Sequence, residues 1–413
     1  MKTCPGFTKK IFLFILFFQF SCSGFLMAQS FSFEGKREKD AIDFKLVKNL
    51  IIIPIYINNK GPFNFILDTG VGPMIITDPS VMDSLHLKPI RITKLSGIGN
   101  GPDIEAYLTD EIKVQVGKSS ISNMPTAILK EDLFNLSNFV GVHIHGLIGY
   151  YFFNSFIVKI NYPSRRLAFS LPDLPVKMKG IKIPLEMINN KPYAWANLEL
   201  QNREKIKAKL IIDIGASHAV SLESLHEKAF PLPEKTIEAN LGMGFTGLIG
   251  GHIGRINSLE IAGVTFKNVL SSFPDYEDAA AKSNVKERNG NLGSDLLKFF
   301  DLTFDYQNFN VYLKPSRYFK KVFEHDMSGM EVYVEERKFN VFIVGRIEPG
   351  SPAELADIRP GDQIVSINFK PFEEYSLNDI DLLLKSAENR RIILLLNREN
   401  KMIYKLLTLK RRI

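Results

Sequence analysis

A chain of 413 residues with 45% apolar and 23% charged side chains is long enough for two or three globular domains, and that balance excludes a disordered or fibrous polymer. The net charge of +7 is modest at this length. Three of the positive charges, Lys2, Lys9 and Lys10, crowd the extreme N-terminus and no basic block with interleaved aromatics follows, so no nucleic-acid partner is expected.

Lys9-Lys10 lead into the apolar run Ile11 to Phe20, short for a bilayer span but right for the hydrophobic stretch of a secretory signal, with cleavage expected after Ala28. Residues 1–28 are therefore read as a signal peptide, and the protein as exported to a periplasm or cell envelope. No later stretch reaches about 18 apolar residues. Both cysteines, Cys4 and Cys22, precede the cleavage point, so the remaining chain cannot rely on disulfides. Cys22 leaves two readings open: acylation that anchors the N-terminus to a membrane, or plain removal with the signal. Gln19, three residues earlier, stands where bacterial lipoboxes usually carry an apolar residue, which favours removal.

Gln29 to Asp40 is polar and reads as a loose leader. From Ile51, I-I-I-P-I-Y-I-N-N-K-G-P-F-N-F-I-L-D is β-branched and aromatic around a turn at Asn58 to Gly61, the pattern of paired strands. Ala194 to Asp213 reads the same way, with clear alternation from Trp195 to Leu200. Pro172, Pro175 and Gly180 mark a junction between two units, and Pro315 closes the second. Ser80 to Leu87 and Ser221 to Phe230 are expected as short helices, and Glu277 to Asn289 as a loop or surface helix.

One motif occurs twice, F-I-L-D-T-G at Phe65 to Gly70 and L-I-I-D-I-G at Leu210 to Gly215, with its Asp residues 145 positions apart. A Gly-rich stretch follows each, G-I-G-N-G from Gly97 and G-M-G-F-T-G from Gly242, again 145 apart. A third pair of segments starts at His145 and Gly290 and ends at Tyr162 and Tyr306, 144 apart. Three landmarks in one order at one offset imply an internal duplication into two similar lobes.

This duplicated constellation resembles the retropepsin-like branch of the aspartic proteases over roughly Lys45 to Pro315. The resemblance implies a mainly β fold of two pseudo-symmetric β-barrel lobes, 45–172 and 180–315, that hydrolyses peptide bonds of extended substrates. Asp68 and Asp213 would be the catalytic pair, working through an activated water with no cofactor and no metal. Two carboxylates a hydrogen bond apart cannot both ionise cheaply, so such a pair holds one shared proton. The resemblance places Thr69, Gly70, Gly215 and Ser217 in support of the dyad. It places Gly97, Gly99, Gly242 and Gly244 in flap hairpins, and Leu147-Ile148-Gly149 and Asn291-Leu292-Gly293 beneath the catalytic loops.

Two positions depart from the family pattern. Ile214 stands where a Ser or Thr would follow the second Asp, so only Thr69 remains of two hydroxyls that cross-bond the loops. Gly72 stands where a hydroxyl would bond the first carboxylate, a place Ser217 fills in the second lobe. Two readings stay open: an active endopeptidase, or a degenerate relative that keeps the fold to bind peptides in the envelope.

From about Met327 the pattern changes. Phe339 to Asn368, with E-P-G-S-P-A-E-L and R-P-G-D, resembles a bacterial PDZ domain, an α+β unit covering 327–413. A one-turn helix is expected at Pro352 to Ala356, a longer one at Leu377 to Ser386, and strands at Ile392 to Asn397 and Met402 to Leu409. In that family a backbone-lined loop receives a peptide C-terminal carboxylate while the peptide adds as a strand. Ser328 to Val332 fits that loop, which makes Gly329, Met330 and Val332 the expected peptide contacts. The alternative is a PDZ fold that only packs against the lobes.

His143 and His145 have the look of metal ligands, but no Cys or carboxylate cluster completes a site in the neighbouring sequence. His218 lies beside the second loop without an assigned role. G-x-G-x-x-G at Gly242 lacks the strand-turn-helix unit of a dinucleotide fingerprint.

Overall fold

The computed structural model describes residues 29–88, 91–132, 135–283, 285, 287–319, 322–335 and 338–413. The expected signal peptide and Cys22 lie outside them. Strands hold 49% of the chain and helices 10%, so the mainly β expectation is met.

The first lobe is built on a hairpin, Leu50–Ile57 against Lys60–Leu67, with Ile53 opposite Phe65. Its turn residues Asn58 and Asn59 have φ of 50° and 64°, the left-handed region that Asn tolerates and a two-residue hairpin requires. Ile51, Ile53, Ile55 and Ile57 enter the main core, while Leu50 and Ile52 enter a second cluster on the opposite face. Burial on both faces explains the apolar run from Leu50 to Ile53, beyond which Pro54 and Tyr56 turn outward. The matching hairpin of the second lobe, Lys191–Glu199 against Lys205–Asp213, buries Ala194, Ala196 and Leu198 and turns Trp195 outward, hence its alternation.

Each lobe then repeats one set of pairings. In the first, Lys60–Leu67 lies parallel to Gly146–Ile148, which runs antiparallel to Met74–Ile76. Met74–Ile76 lies parallel to Thr126–Leu129, and Ile104–Thr109 and Arg91–Leu95 follow antiparallel. In the second, Lys205–Asp213, Arg288–Gly293, Val220–Leu222, Val264–Pro274, Gly247–Ile261 and Thr236–Gly244 make the same pairings in the same senses. The duplication of sequence is a duplication of topology.

A six-stranded sheet joins the lobes, with Ile157–Asn161 of the first antiparallel to Phe300–Asp305 of the second. The landmark tyrosines Tyr162 and Tyr306 follow these two strands and are buried. A separate core of Val344, Ile364, Leu394, Leu396 and Leu407 supports the last unit. Its strands are Met330–Glu335, Lys338–Ile347, Gln363–Ile367, Arg391–Arg398 and Lys401–Thr408. Its helix Pro352–Leu355 starts at a Ser351 cap, and Leu377–Leu384 starts at a Ser376–Asp379 capping box.

Two expectations fail. Helix Ser80–Leu85 forms, but Ser221 to Phe230 does not become helical: Val220–Leu222 is locked between Arg288–Gly293 and Val264–Pro274, and Ser224–Leu225 pairs with Lys228–Ala229. The leader is not loose either. Phe31 is buried, Ser32–Phe33 pairs with Ser119–Ile121, and Lys39–Asp43 edges the interlobe sheet against Arg166–Ser170, upstream of the boundary at Lys45. In the segment Glu277 to Asn289, a short 3-10 turn, Ala280–Lys282, precedes the strand Arg288–Gly293.

Candidate active site

Parallel pairing of Lys60–Leu67 with Gly146–Ile148, and of Lys205–Asp213 with Arg288–Gly293, brings the two Asp loops together at the lobe junction. Each carboxylate accepts its own loop's glycine amide: Gly70 N–H to Asp68 Oδ1 at 2.6 Å and Gly215 N–H to Asp213 Oδ1 at 2.9 Å. The Asp68 and Asp213 carboxyls both face Gly70 and lie close enough for the charge of one to act on the other. A Cβ on Gly70 would stand 3.4 Å from Asp213 Oδ2, and one on Gly215 would overlap the Asp68 carboxyl group. At position 215 only glycine allows that approach.

Asp68 is buried, and burial first, then the Asp213 charge, push its pKa from 3.8 up to about 8. The pair titrates as one unit, so this elevated value belongs to the dyad. Because the group's pKa is higher folded than unfolded, folding is favoured while it stays protonated. That contribution is fully present below about pH 4 and lost as pH rises toward 8. In denaturant titrations Asp68→Asn is expected to be more stable than wild type at neutral pH and level with it near the ordinary carboxylate range.

Thr69 carries the surviving half of the loop-to-loop bonding. Its hydroxyl donates to the Ile212 carbonyl at 2.6 Å and accepts from the Ile214 amide at 3.0 Å. Ile214 is fully buried, and its carbonyl accepts instead from Ser294 Oγ at 2.8 Å, which lies 3.4 Å from the Tyr162 hydroxyl. Thr69→Val keeps the shape, removes both bonds and leaves a buried amide unpaired. It is expected to cost about 1–3 kcal/mol, measured by urea unfolding.

The expected support from Ser217 takes another form. Its carbonyl accepts from Asn49 at 3.0 Å, and the outer oxygen Asp213 Oδ2 is bonded at 3.2 Å by the amide of Asn291. Asn291 is itself held through Oδ1 by His218 Nε2 at 2.6 Å. In the first lobe a Cβ on Gly72 would meet only Asn190 Nδ2, at 3.8 Å. Lys191, next in the chain, is a further charge at the site: burial and then Arg288 lower its pKa, while Asp213 and Asp68 pull it upward. Asn291→Ala is expected to shift the pH profile of turnover and Ser217→Ala to leave it in place.

The flap glycines meet each other. Thr246, at the tip between Thr236–Gly244 and Gly247–Ile261, donates its amide to the Ile98 carbonyl at 2.9 Å and its hydroxyl to Gly97 O at 2.9 Å and Gly99 O at 3.2 Å. The Asn100 amide returns a bond to Leu248 O at 3.0 Å. Side chains at Gly97, Gly99 or Gly244 would collide with the opposite tip, whereas Gly242 faces open space. Met243 and Phe245 pack on an apolar cluster with Val71, three residues past Asp68. The tips of the two hairpins thus bond each other, and one of them shares an apolar cluster with the first Asp loop.

In the last unit, Ser328 and Gly329 donate their amides to Asp326 Oδ1 at 2.9 and 2.6 Å, and the Met330 amide donates to Ser328 Oγ at 3.1 Å. The loop expected to receive a peptide carboxylate thus already holds one from the chain, whose pKa burial raises to about 6. Met330 is buried, and Val332 packs on the domain core opposite Val344. The strand Met330–Glu335 lies at the edge of its sheet.

Folding adds Asp78 to His143 and His145, whose rings stack 4.2 Å apart. His143 Nε2 lies 2.9 Å from Asp78 Oδ2. His145 Nδ1, however, accepts the Asn64 amide at 3.1 Å, so the neutral ring carries its proton on Nε2 and has no second lone pair for an ion. A hydrogen bond between His143 and Asp78, not a metal centre, fits this donor set.

Residues 53–152 match the family model described as aspartyl protease, and residues 343–398 match that of the PDZ domain. The chain is similar to the carboxy-terminal processing protease CtpA of Bacillus subtilis (strain 168), 32% identical over 85 residues. That match covers 21% of this chain and 18% of the relative, so it spans under a fifth of that protein. Among solved structures, an aspartic proteinase from Irpex lacteus aligns at 12% identity and a TM-score of 0.40, over 68% of this chain and 98% of that one.

Proposed function

We propose, for a chain that carries an aspartyl protease domain and a C-terminal PDZ domain, that it is an exported aspartic endopeptidase acting on extended peptide segments. The observation that carries the reading is the pair of carboxylates from two repeated loops, one of them driven strongly toward its protonated form. Asp68 then holds the shared proton and directs it at the peptide carbonyl. Asp213, oriented by Gly215 and Asn291, takes a proton from the attacking water. Attack is direct, and no group on the protein is acylated; the resulting gem-diol collapses with cleavage of the C–N bond, the amine leaves with the proton Asp213 took, and a diol hydroxyl returns a proton to Asp68. The closed flaps would exclude bulk water and strengthen these interactions. The PDZ domain would hold peptide along the edge strand Met330–Glu335 and raise the local concentration of substrate at the cleft.

The test is cleavage of casein by the chain without residues 1–28: a pepstatin-type transition-state mimic should block it and EDTA should not. EDTA sensitivity would overturn the reading. A second reading, an envelope peptide-binding protein without turnover, is favoured by Ile214 and Gly72, which leave each loop short of one hydroxyl. It predicts peptide affinity with no cleavage at any pH. Location in a periplasm or envelope, with or without lipid on Cys22, is part of the proposal, and intact-mass measurement of the exported protein decides the lipid.

A further inference from the structure

The PDZ groove is already filled by the chain. Between the strand Met330–Glu335 and the helix Leu377–Leu384, the two elements that border it, sits a segment of the first lobe. Helix Leu136–Val140 packs against the strand. Gly141 follows with φ 80°, so close that a Cβ there would lie 2.9 Å from Leu377 Cβ and 3.5 Å from Val334 Cγ2. A neighbouring turn seals the edge. The Lys48 amide donates to Asn378 Oδ1 at 3.2 Å, its ammonium stands 4.2 Å from the Phe139 ring centre, and the charges of Asp381 and Glu331 face it. Asn49, the next residue, ties the same turn to Ser217 and Asp295 of the second lobe, at 3.0 Å each.

The same domain reaches the flap. Glu331 lies near the side chain of Asn240, and Asn240 Oδ1 accepts the Gly242 amide at 3.0 Å, just below the flap tip. Leu136 of the docked segment packs on the apolar cluster that also receives Met243 and Phe245 of that tip. Groove, docked segment and flap therefore form one contiguous set of contacts.

We propose that this docking is a latch: the PDZ domain, seated on residues 135–141 and Lys48, with Leu136 of that segment packed on the same apolar cluster as Met243 and Phe245 of the flap tip, holds the flaps shut, and an extended peptide entering the groove competes with that segment and frees them. Only the consequence for turnover rests on the protease reading; the mechanical link does not. The docked segment presents Phe139 beside the Lys48 ammonium to an edge carrying Asp381, paired with Lys385 at 2.9 Å, and Glu331, paired with Arg346 at 3.5 Å. A competing peptide is accordingly one with a basic residue next to an aromatic one. Asp326 fills the carboxylate loop, so an internal stretch fits better than a free C-terminus.

Without residues 1–28 the chain has no thiol, so Asn240→Cys with Glu331→Cys places a reversible cross-link across the latch. Hydrogen exchange at the flap tips, residues 97–101 and 242–248, reads the outcome whether or not peptide is cleaved. Exchange should slow in the oxidised chain relative to the reduced one. It should quicken about tenfold in Glu331→Gln with Asn378→Ala, the equilibrium equivalent of one lost hydrogen bond to a charged group. Equal exchange in all of these chains overturns the latch. A synthetic peptide carrying a Lys-Phe pair should quicken flap exchange in wild type and not in the oxidised chain; no effect at saturating peptide overturns the competition. Casein cleavage separates the two claims. Faster turnover in the broken latch and slower in the oxidised one is expected, whereas flap exchange that follows the latch with no cleavage in any chain keeps the latch and sinks the protease reading.

Discussion

Asp68→Asn and Asp213→Asn are each expected to lower kcat/KM for an extended peptide by at least about a thousandfold, the scale on which positioned acids and bases act. The two losses should not add in the double variant, because the carboxylates share one proton and work as a unit. Both substitutions are close to isosteric, and the glycine amides at Gly70 and Gly215 keep an oxygen to bond. Unchanged circular dichroism should therefore accompany the loss, with an unfolding midpoint no lower than that of wild type and, for Asp68→Asn at neutral pH, higher. A variant that loses turnover together with its fold would leave chemistry and structure unseparated, so both are measured on one preparation.

The second large effect comes from a methyl group. In Gly215→Ala the added Cβ would overlap the carboxyl group of Asp68, 2.1 Å from its Cγ, so one of the two loops must shift. Either the second loop retreats or Asp68 turns aside, and both displace the reacting groups. A displacement of about 1 Å costs about a hundredfold in rate, and forced overpacking costs about 1–3 kcal/mol of stability. Gly70→Ala is the control. Its Cβ would lie 3.0 Å from Asp68 Oδ1 and 3.4 Å from Asp213 Oδ2, so the neighbours need to give only tenths of an ångström. Equal losses in the two alanine variants would contradict the asymmetry of the dyad.

The parts of this fold that were legible in the sequence are those whose signal is local or repeated. The Asp68 and Asp213 loops, the flap glycines and the supporting segments recur at one offset because each lobe needs the same close approaches. The PDZ domain was legible because its Pro-Gly turns and capped helices are local features. Burial decided the failures. Ser221 and Leu222 were read as the start of a helix because apolar spacing is ambiguous in so short a run; strands on both sides settle it. The polar leader gained its strands only from edges that the lobes provide.

Dyad support shows the same limit. Ser217 fits a spacing rule, yet Asn291, 78 residues away from Asp213, reaches the outer oxygen first. Ser294 compensates at the Ile214 carbonyl, a contact 80 residues apart in sequence that no motif announces. The docking of Lys48 on Asn378 joins residues separated by 330 positions. Such contacts depend on how finished domains meet, and sequence patterns carry little of that.

The central claim is one proton shared by two carboxylates at a hydrolytic site. Its most direct test is casein cleavage over roughly pH 3–8 by the chain without residues 1–28, beside the two Asp→Asn variants. The account predicts a bell-shaped profile for wild type, falling at high pH as the pair loses its proton and at low pH as both carboxyls are protonated, with neither variant active. No cleavage by wild type at any pH, or cleavage that survives in both variants, would contradict it.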